Sequence, residues 1–108
     1  MSITLVCLVK GSKSVNAFPI DIDRNKLVGH LKEAIKAKNQ QTFGSVDAKD
    51  LKLWKVEISD DRDDLLSALS LKDDNELRAT RDIEDYWAVK PLKRYIHVII
   101  EQPVAIGM

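Results

Sequence analysis

The run that most constrains this chain is "RYIHVIIEQP", Arg94 to Pro103, close to its end. From Tyr95 to Ile100 it is aromatic, β-branched or apolar, with His97 the one interruption, and a proline closes it. Such a run reads as a strand. It carries apolar residues on both faces, as a strand that closes a core needs. If it inserts beside the first strand it becomes central, and that would explain why the chain places its best strand last.

The first apolar run, "ITLVCLVKG", reads as a strand ending near Gly11. "SVNAFPIDI" follows after a short polar link and should pair with it as an antiparallel hairpin. Pro19 has no N–H to donate, which places this second strand at the sheet's edge. "NKLVGHLKEAIKAKN" has the helical period, with Val28, Leu31 and Ile35 on one side and Leu27 and Ala34 flanking it. Asn25 is the expected N-cap, and lysines gather at the far end, where the helix dipole favours them. Gly29 weakens the helix by roughly 1 kcal/mol relative to alanine. It is expected to let the helix sit close to the sheet.

"LKLWKVEI" is a third strand, and "SDDRDDLLSALSLKDDNEL" holds Leu65, Leu66 and Leu69 between acidic runs, as in a short helix. "RATRDIEDYW" reads as a turn and "VKPLKR" as a loop. The order β, β, α, β, acidic segment, β predicts an α+β domain with one main helix covering one face of a mixed sheet. If the last strand inserts beside the first, it lies parallel to it.

At 108 residues the chain suits one domain. Seventeen basic residues balance seventeen acidic ones, which argues against direct nucleic-acid binding. The charges are segregated. Residues 57–85 carry eleven acidic and four basic residues. This stretch reads as a solvated acidic loop, or as a patch that pairs with a second copy or a basic partner. A single cysteine, Cys7, excludes an internal disulfide and reads as a buried thiol. No stretch is long enough to span a membrane, and the amino terminus lacks the pattern of a signal peptide.

Little in the sequence points to chemistry. His30 and His97 are not at zinc-like spacing from other ligands, there is no glycine-rich phosphate loop, and the acidic runs lack an EF-hand's pattern. We expect no catalytic residue, no metal and no cofactor; a small enzyme is the least supported reading. His30 is expected to be solvated.

Strand alternation points instead to a surface. Ile3, Leu5 and Cys7 should face the helix, with Leu51, Leu53, Ile96, Val98 and Ile100. Val6, Leu8, Trp54, Val56, His97 and Ile99 should share the opposite face. If open, this would be a large apolar patch of the kind that marks contact sites, and it would favour a twofold homodimer. Two alternatives stand beside it: His97 as a core histidine, and the acidic segment folding over the face through Leu65, Leu66, Leu69 and Leu71.

The order of elements resembles the ubiquitin-like β-grasp, with four to five strands. "RDIEDYW" resembles ubiquitin's "RTLSDYN", and "YIHVII" its "TLHLVL". The resemblance implies that Tyr86 pins the turn. The chain is more similar still to the amino-terminal domain of Crinkler effectors. "LKLWKV" stands where that family has an "LxLFLAK"-type motif, so Leu51, Lys52, Leu53, Trp54, Lys55 and Val56 form a translocation-motif-like segment. "HVIIEQP" resembles the family's "HVLVVVP", and "LRATRDIEDYW" its "MKATWTIQDVL". The altered motif points to the fungal branch. The resemblance implies a ubiquitin-like Crinkler domain at residues 1–103, with 104–108 starting a linker to a carboxy-terminal effector domain. It implies secretion and action in a host cell, including its nucleus, through a protein partner such as a host protein or a second copy. The alternative is an intracellular ubiquitin-like adaptor.

Overall fold

In the computed structural model, residues 2–43, 46–68 and 76–102 are described. Strand β1 (Ser2–Val9) pairs antiparallel with β2 (Phe18–Asp23), from Ser2 opposite Asp23 to Cys7 opposite Phe18. Helix α1 (Val28–Lys38) follows, then the one-turn α2 (Gln40–Phe43) and β3 (Lys52–Ser59). Short helices α3 (Asp63–Ser67) and α4 (Ile83–Tyr86) precede β4 (Tyr95–Glu101). The sheet order is β2-β1-β4-β3. The last strand is indeed central, parallel to β1 and antiparallel to β3. This is the β-grasp order. A lone bridge from Glu76 to Trp54 lies beside β3, and the Leu77 N–H donates to the Leu53 carbonyl at 2.7 Å.

The main core lies between α1 and the sheet. Val28, Leu31 and Ile35 meet Ile3, Leu5, Cys7, Ile20, Ile22, Leu53, Val98 and Ile100. Each fully buried aliphatic side chain here contributes about 1.5–3 kcal/mol of burial free energy. Pro19 lies on the edge strand, and the Lys38 ammonium donates to its carbonyl at 2.6 Å. "RATRDIEDYW" is more than a turn. It ends in α4, which seats Ile83 and Trp87 in the core. The Tyr86 hydroxyl accepts the Arg78 N–H at 3.0 Å, so Tyr86 does pin this segment.

The start of α1 differs from expectation. Leu27, not Asn25, is the N-cap residue, and its side chain cannot accept a hydrogen bond. The helix's first N–H groups are satisfied from afar: Val28 donates to Arg81 at 2.8 Å and Gly29 to Ala79 at 3.0 Å. The exchange is mutual, since Ile83 and Glu84 donate to the carbonyls of Lys26 and Arg24. Backbone carbonyls thus replace a capping side chain. Gly29 accordingly faces Ala79 and not the sheet. A Cβ built there would lie 3.4 Å from the Ala79 oxygen and 3.7 Å from its Cβ, ordinary contact distances.

Gly29→Ala should therefore stabilise the fold, by about 0.5–1 kcal/mol from helix propensity. Urea unfolding of the two proteins measures this. A destabilised variant would mean that the approach of Ala79 is tighter than these distances show.

Candidate functional site

The site expected from the sequence is the sheet face away from α1. The structure corrects that expectation. Leu8 and Ile99 are fully buried, Trp54 is 3% exposed and His97 4%. Val6 and Val56 are half-buried. Leu8, Ile96 and Ile99 form a second, smaller core, on which Val6, Ala17, Val56 and Leu66 pack. Leu66 comes from α3, so the acidic segment does reach this core; Leu69 and Leu71 lie outside the described residues. The six residues do not form an open apolar patch, and the twofold contact drawn through them loses its surface.

Ile96 is also corrected. Alternation grouped it with Val98 and Ile100, yet it packs with Leu8 and Ile99. The ladder is irregular beside it, with a bulge in β3. Lys55 pairs with Val98 and Ile58 with Ile96, so Val56 and Glu57 together oppose His97 alone. An extra residue of this kind raises local twist and re-aims side chains.

His97 sits at this irregularity and is held at both ring nitrogens. Nδ1 lies 2.9 Å from the Val6 N–H, so it is an acceptor and carries no proton. Nε2 lies 2.6 Å from the Leu92 carbonyl, to which it donates. The two contacts fix a neutral ring in one tautomer. The ring takes a β1 donor and ties the loop before β4 to the sheet. Burial pushes the His97 pKa below the usual histidine value; the Leu92 hydrogen bond and the Glu57 carboxylate pull the other way. This is the core histidine of the alternative reading. Its signal in the sequence was a lone polar residue inside a strand covered on both faces.

The translocation-motif-like segment is the start of β3 and the residue before it. Leu51 and Leu53 are fully buried in the main core, and Trp54 pairs across the sheet with Ile99. Lys52 and Lys55 are exposed. The Lys55 ammonium donates to the Tyr86 carbonyl and lies 5.7 Å from the centre of the Trp87 ring, a cation–π contact. Lys52, Lys55 and the half-buried Val56, and not the two leucines, are what another molecule can touch.

Beside Lys55, a cavity of about 400 Å³ opens between the β3 bulge and residues 86–92. Val89 and Leu92 stand on its rim, 77% and 52% exposed. In the sequence they read only as part of a loop, because two apolar residues among lysines and a proline carry no period. His30, on α1, is exposed to solvent in part, and its Nδ1 accepts the Leu27 N–H at 3.1 Å. Cys7 is fully buried, and burial pushes its thiol pKa strongly upward, as an inert core thiol requires. Among the described residues no three histidine, cysteine, aspartate or glutamate side chains gather to hold a metal, and no helix is long and apolar enough to cross a membrane.

The sequence profile of the Crinkler effector protein N-terminal domain matches residues 3–101. The chain belongs to this family. Crinkler effector protein 1 of the fungus Rhizophagus irregularis is 59% identical over 103 residues, 95% of this chain and 22% of that protein. Crinkler effector protein 63 of Phytophthora sojae is 36% identical over 94% of this chain and 27% of its own length. The chain thus spans about a quarter of the length of these two relatives. Among solved structures, an Arabidopsis thaliana protein determined by NMR and a de novo design based on ubiquitin each match with a TM-score of 0.52 at 14% identity. They cover 98% and 99% of this chain, and the chain covers 90% and 96% of theirs. At that identity they show the fold, which is ubiquitin-like.

The His97 geometry has a pH consequence. A protonated ring would turn Nδ1 into a donor facing the Val6 N–H. Folded protein therefore resists a proton that the unfolded chain accepts, so stability falls as the pH drops below about 6.5. The loss continues down to the depressed folded-state pKa. Urea unfolding between about pH 7.5 and 5.5 should show this slope. His97→Gln offers an acceptor and a donor but no titration, and should lack it. Equal slopes in the two proteins would refute the assignment.

Proposed function

We propose that this domain is the amino-terminal part of a secreted Crinkler-type effector that acts in host cells, and that it works by protein contact and not by catalysis. One observation carries the reading. A single β-grasp unit matches the family's N-terminal domain from residue 3 to 101 and accounts for only about a quarter of the length of its relatives. The rest of such a protein has room for a separate activity, and the β-grasp unit has the task of bringing it to its place. The functional reading of residues 51–56 is then conformational. With Leu51 and Leu53 in the core, the segment cannot be read as a linear peptide unless the domain unfolds. A receptor that meets the folded domain sees the exposed side chains of Lys52 and Lys55. Binding between two copies through the covered sheet face is no longer part of this reading.

The test is delivery. The domain is joined to one fragment of a split fluorescent protein and secreted, under a fixed secretion signal, by a microbe in contact with host cells that make the other fragment. We expect host-cell fluorescence with this domain and none with ubiquitin in its place. Lys52→Gln should weaken the signal without changing the melting curve, because Lys52 is exposed and glutamine puts no like charge opposite Glu101. Leu53→Asp should abolish it by unfolding the domain, since a buried unpaired carboxylate costs several kcal/mol. Equal fluorescence with ubiquitin would remove the delivery role.

A further inference from the structure

The cavity beside the β3 bulge has the features of a peptide-binding site. Val56, Trp87, Val89 and Leu92 give it apolar walls. Its shape is held in advance. The strap over it, residues 86–92, is fastened at three carbonyls: Tyr86 by Lys55, Ala88 by the Arg24 guanidinium, and Leu92 by His97. With these carbonyls bonded, Val89 and Leu92 stand at the surface on a fixed support. A cavity formed before binding spares a ligand much of the ordering cost.

The charge beside it is segregated: the exposed acids Glu84 and Asp85 precede the strap, and cations gather at its far end. Lys55 and Lys90 line the cavity, and Lys93 and Arg94 follow directly on the same exposed loop. Among the described lining residues Glu57 is the one acid. Asp60 is tied to the end of this loop, where its N–H donates to the Arg94 carbonyl. A chain with no net charge thus has an apolar cleft whose strap ends in a basic run, Lys90 to Arg94.

We infer that this cleft is the binding site for an acidic segment of a partner protein, one that places a leucine or aromatic side chain in the cavity and its carboxylates along Lys90, Lys93 and Arg94. The apolar anchor would supply affinity, and the opposite charges register and rate of encounter. A concave site favours a peptide over a lipid surface, because a bilayer cannot fill a cleft that lies beneath its own rim. The inference rests on the protein-contact reading of the domain, but it is tested on purified protein, so it fails or stands independently of delivery.

A random-peptide phage library is selected on the intact domain. We expect enrichment of sequences with a leucine or aromatic residue flanked by aspartate or glutamate. The consensus peptide, synthesised with a fluorescent label, should bind about tenfold more weakly to Lys90→Glu/Lys93→Glu and to Leu92→Asp, a change of about 1.4 kcal/mol. All three positions are exposed, so unchanged melting curves are expected for both variants. Replacing the peptide's acids by their amides should weaken binding similarly. Three outcomes would overturn the inference: no enrichment, a consensus without acids, or affinity unaffected by these changes. So would tight binding of the domain to vesicles containing phosphatidylserine with loss in the same variants, which would make the loop a membrane contact. Self-association that the same variants abolish would also overturn it, making the acidic stretch of a second copy, Asp60 to Leu65, the occupant.

Discussion

The architecture of this domain follows from the need to cover β4 on both sides. A strand that is apolar from Tyr95 to Ile100 can be stable only as an inner strand with a layer above and a layer below. The upper layer is α1, the one long helix among the described residues. The lower layer is improvised from short pieces: Leu66 of α3, Ala17 from the hairpin turn and Val56 at the bulge. The difference between the layers explains the domain's character. One face is an ordinary helix-on-sheet core. The other is a thin cover in which acidic residues stay in water while leucine reaches in.

The parts that sequence reveals well are those governed by periodicity. Val28, Leu31 and Ile35 mark the buried stripe of α1, and the apolar content of β4 pointed to its central place. Pro19 marked the edge. What the sequence hid was set by contacts between distant segments. The cap of α1 comes from the carbonyls of Ala79 and Arg81, on a segment far along the chain, so a local search settles on Asn25. The bulge opposite His97 leaves no mark in "LKLWKVEI", and neither does the packing of Ile96 with Leu8 and Ile99 beside it. Resemblance did better than pattern at Tyr86, whose hydroxyl contact with Arg78 lies across eight residues.

Burial also changes what a short strand motif can mean in such a domain. The stretch from Leu51 to Val56 has two kinds of residue on one strand. Its leucines hold the fold, and its lysines face outward. A substitution at a leucine reports on folding, and one at Lys52 changes the surface without entering the core. Lys55 belongs to both classes, because its ammonium is tied to the strap through Tyr86 and Trp87. An apolar strand motif can therefore matter to function only because the surface beside it depends on a properly packed interior.

The place of β4 in the chain has a consequence for how the protein is made. Its partners, β1 and β3, are synthesised long before it, yet neither can take its final neighbour until residues 95–101 leave the ribosome. The hairpin of β1 and β2 can form early, since its contacts are local. The two halves of the sheet join only when the final strand slides between them. Until then the inner edge of β1 and the apolar side of β3 have no partner strand and are open to chaperones. A domain built this way cannot complete its sheet before its last strand is made.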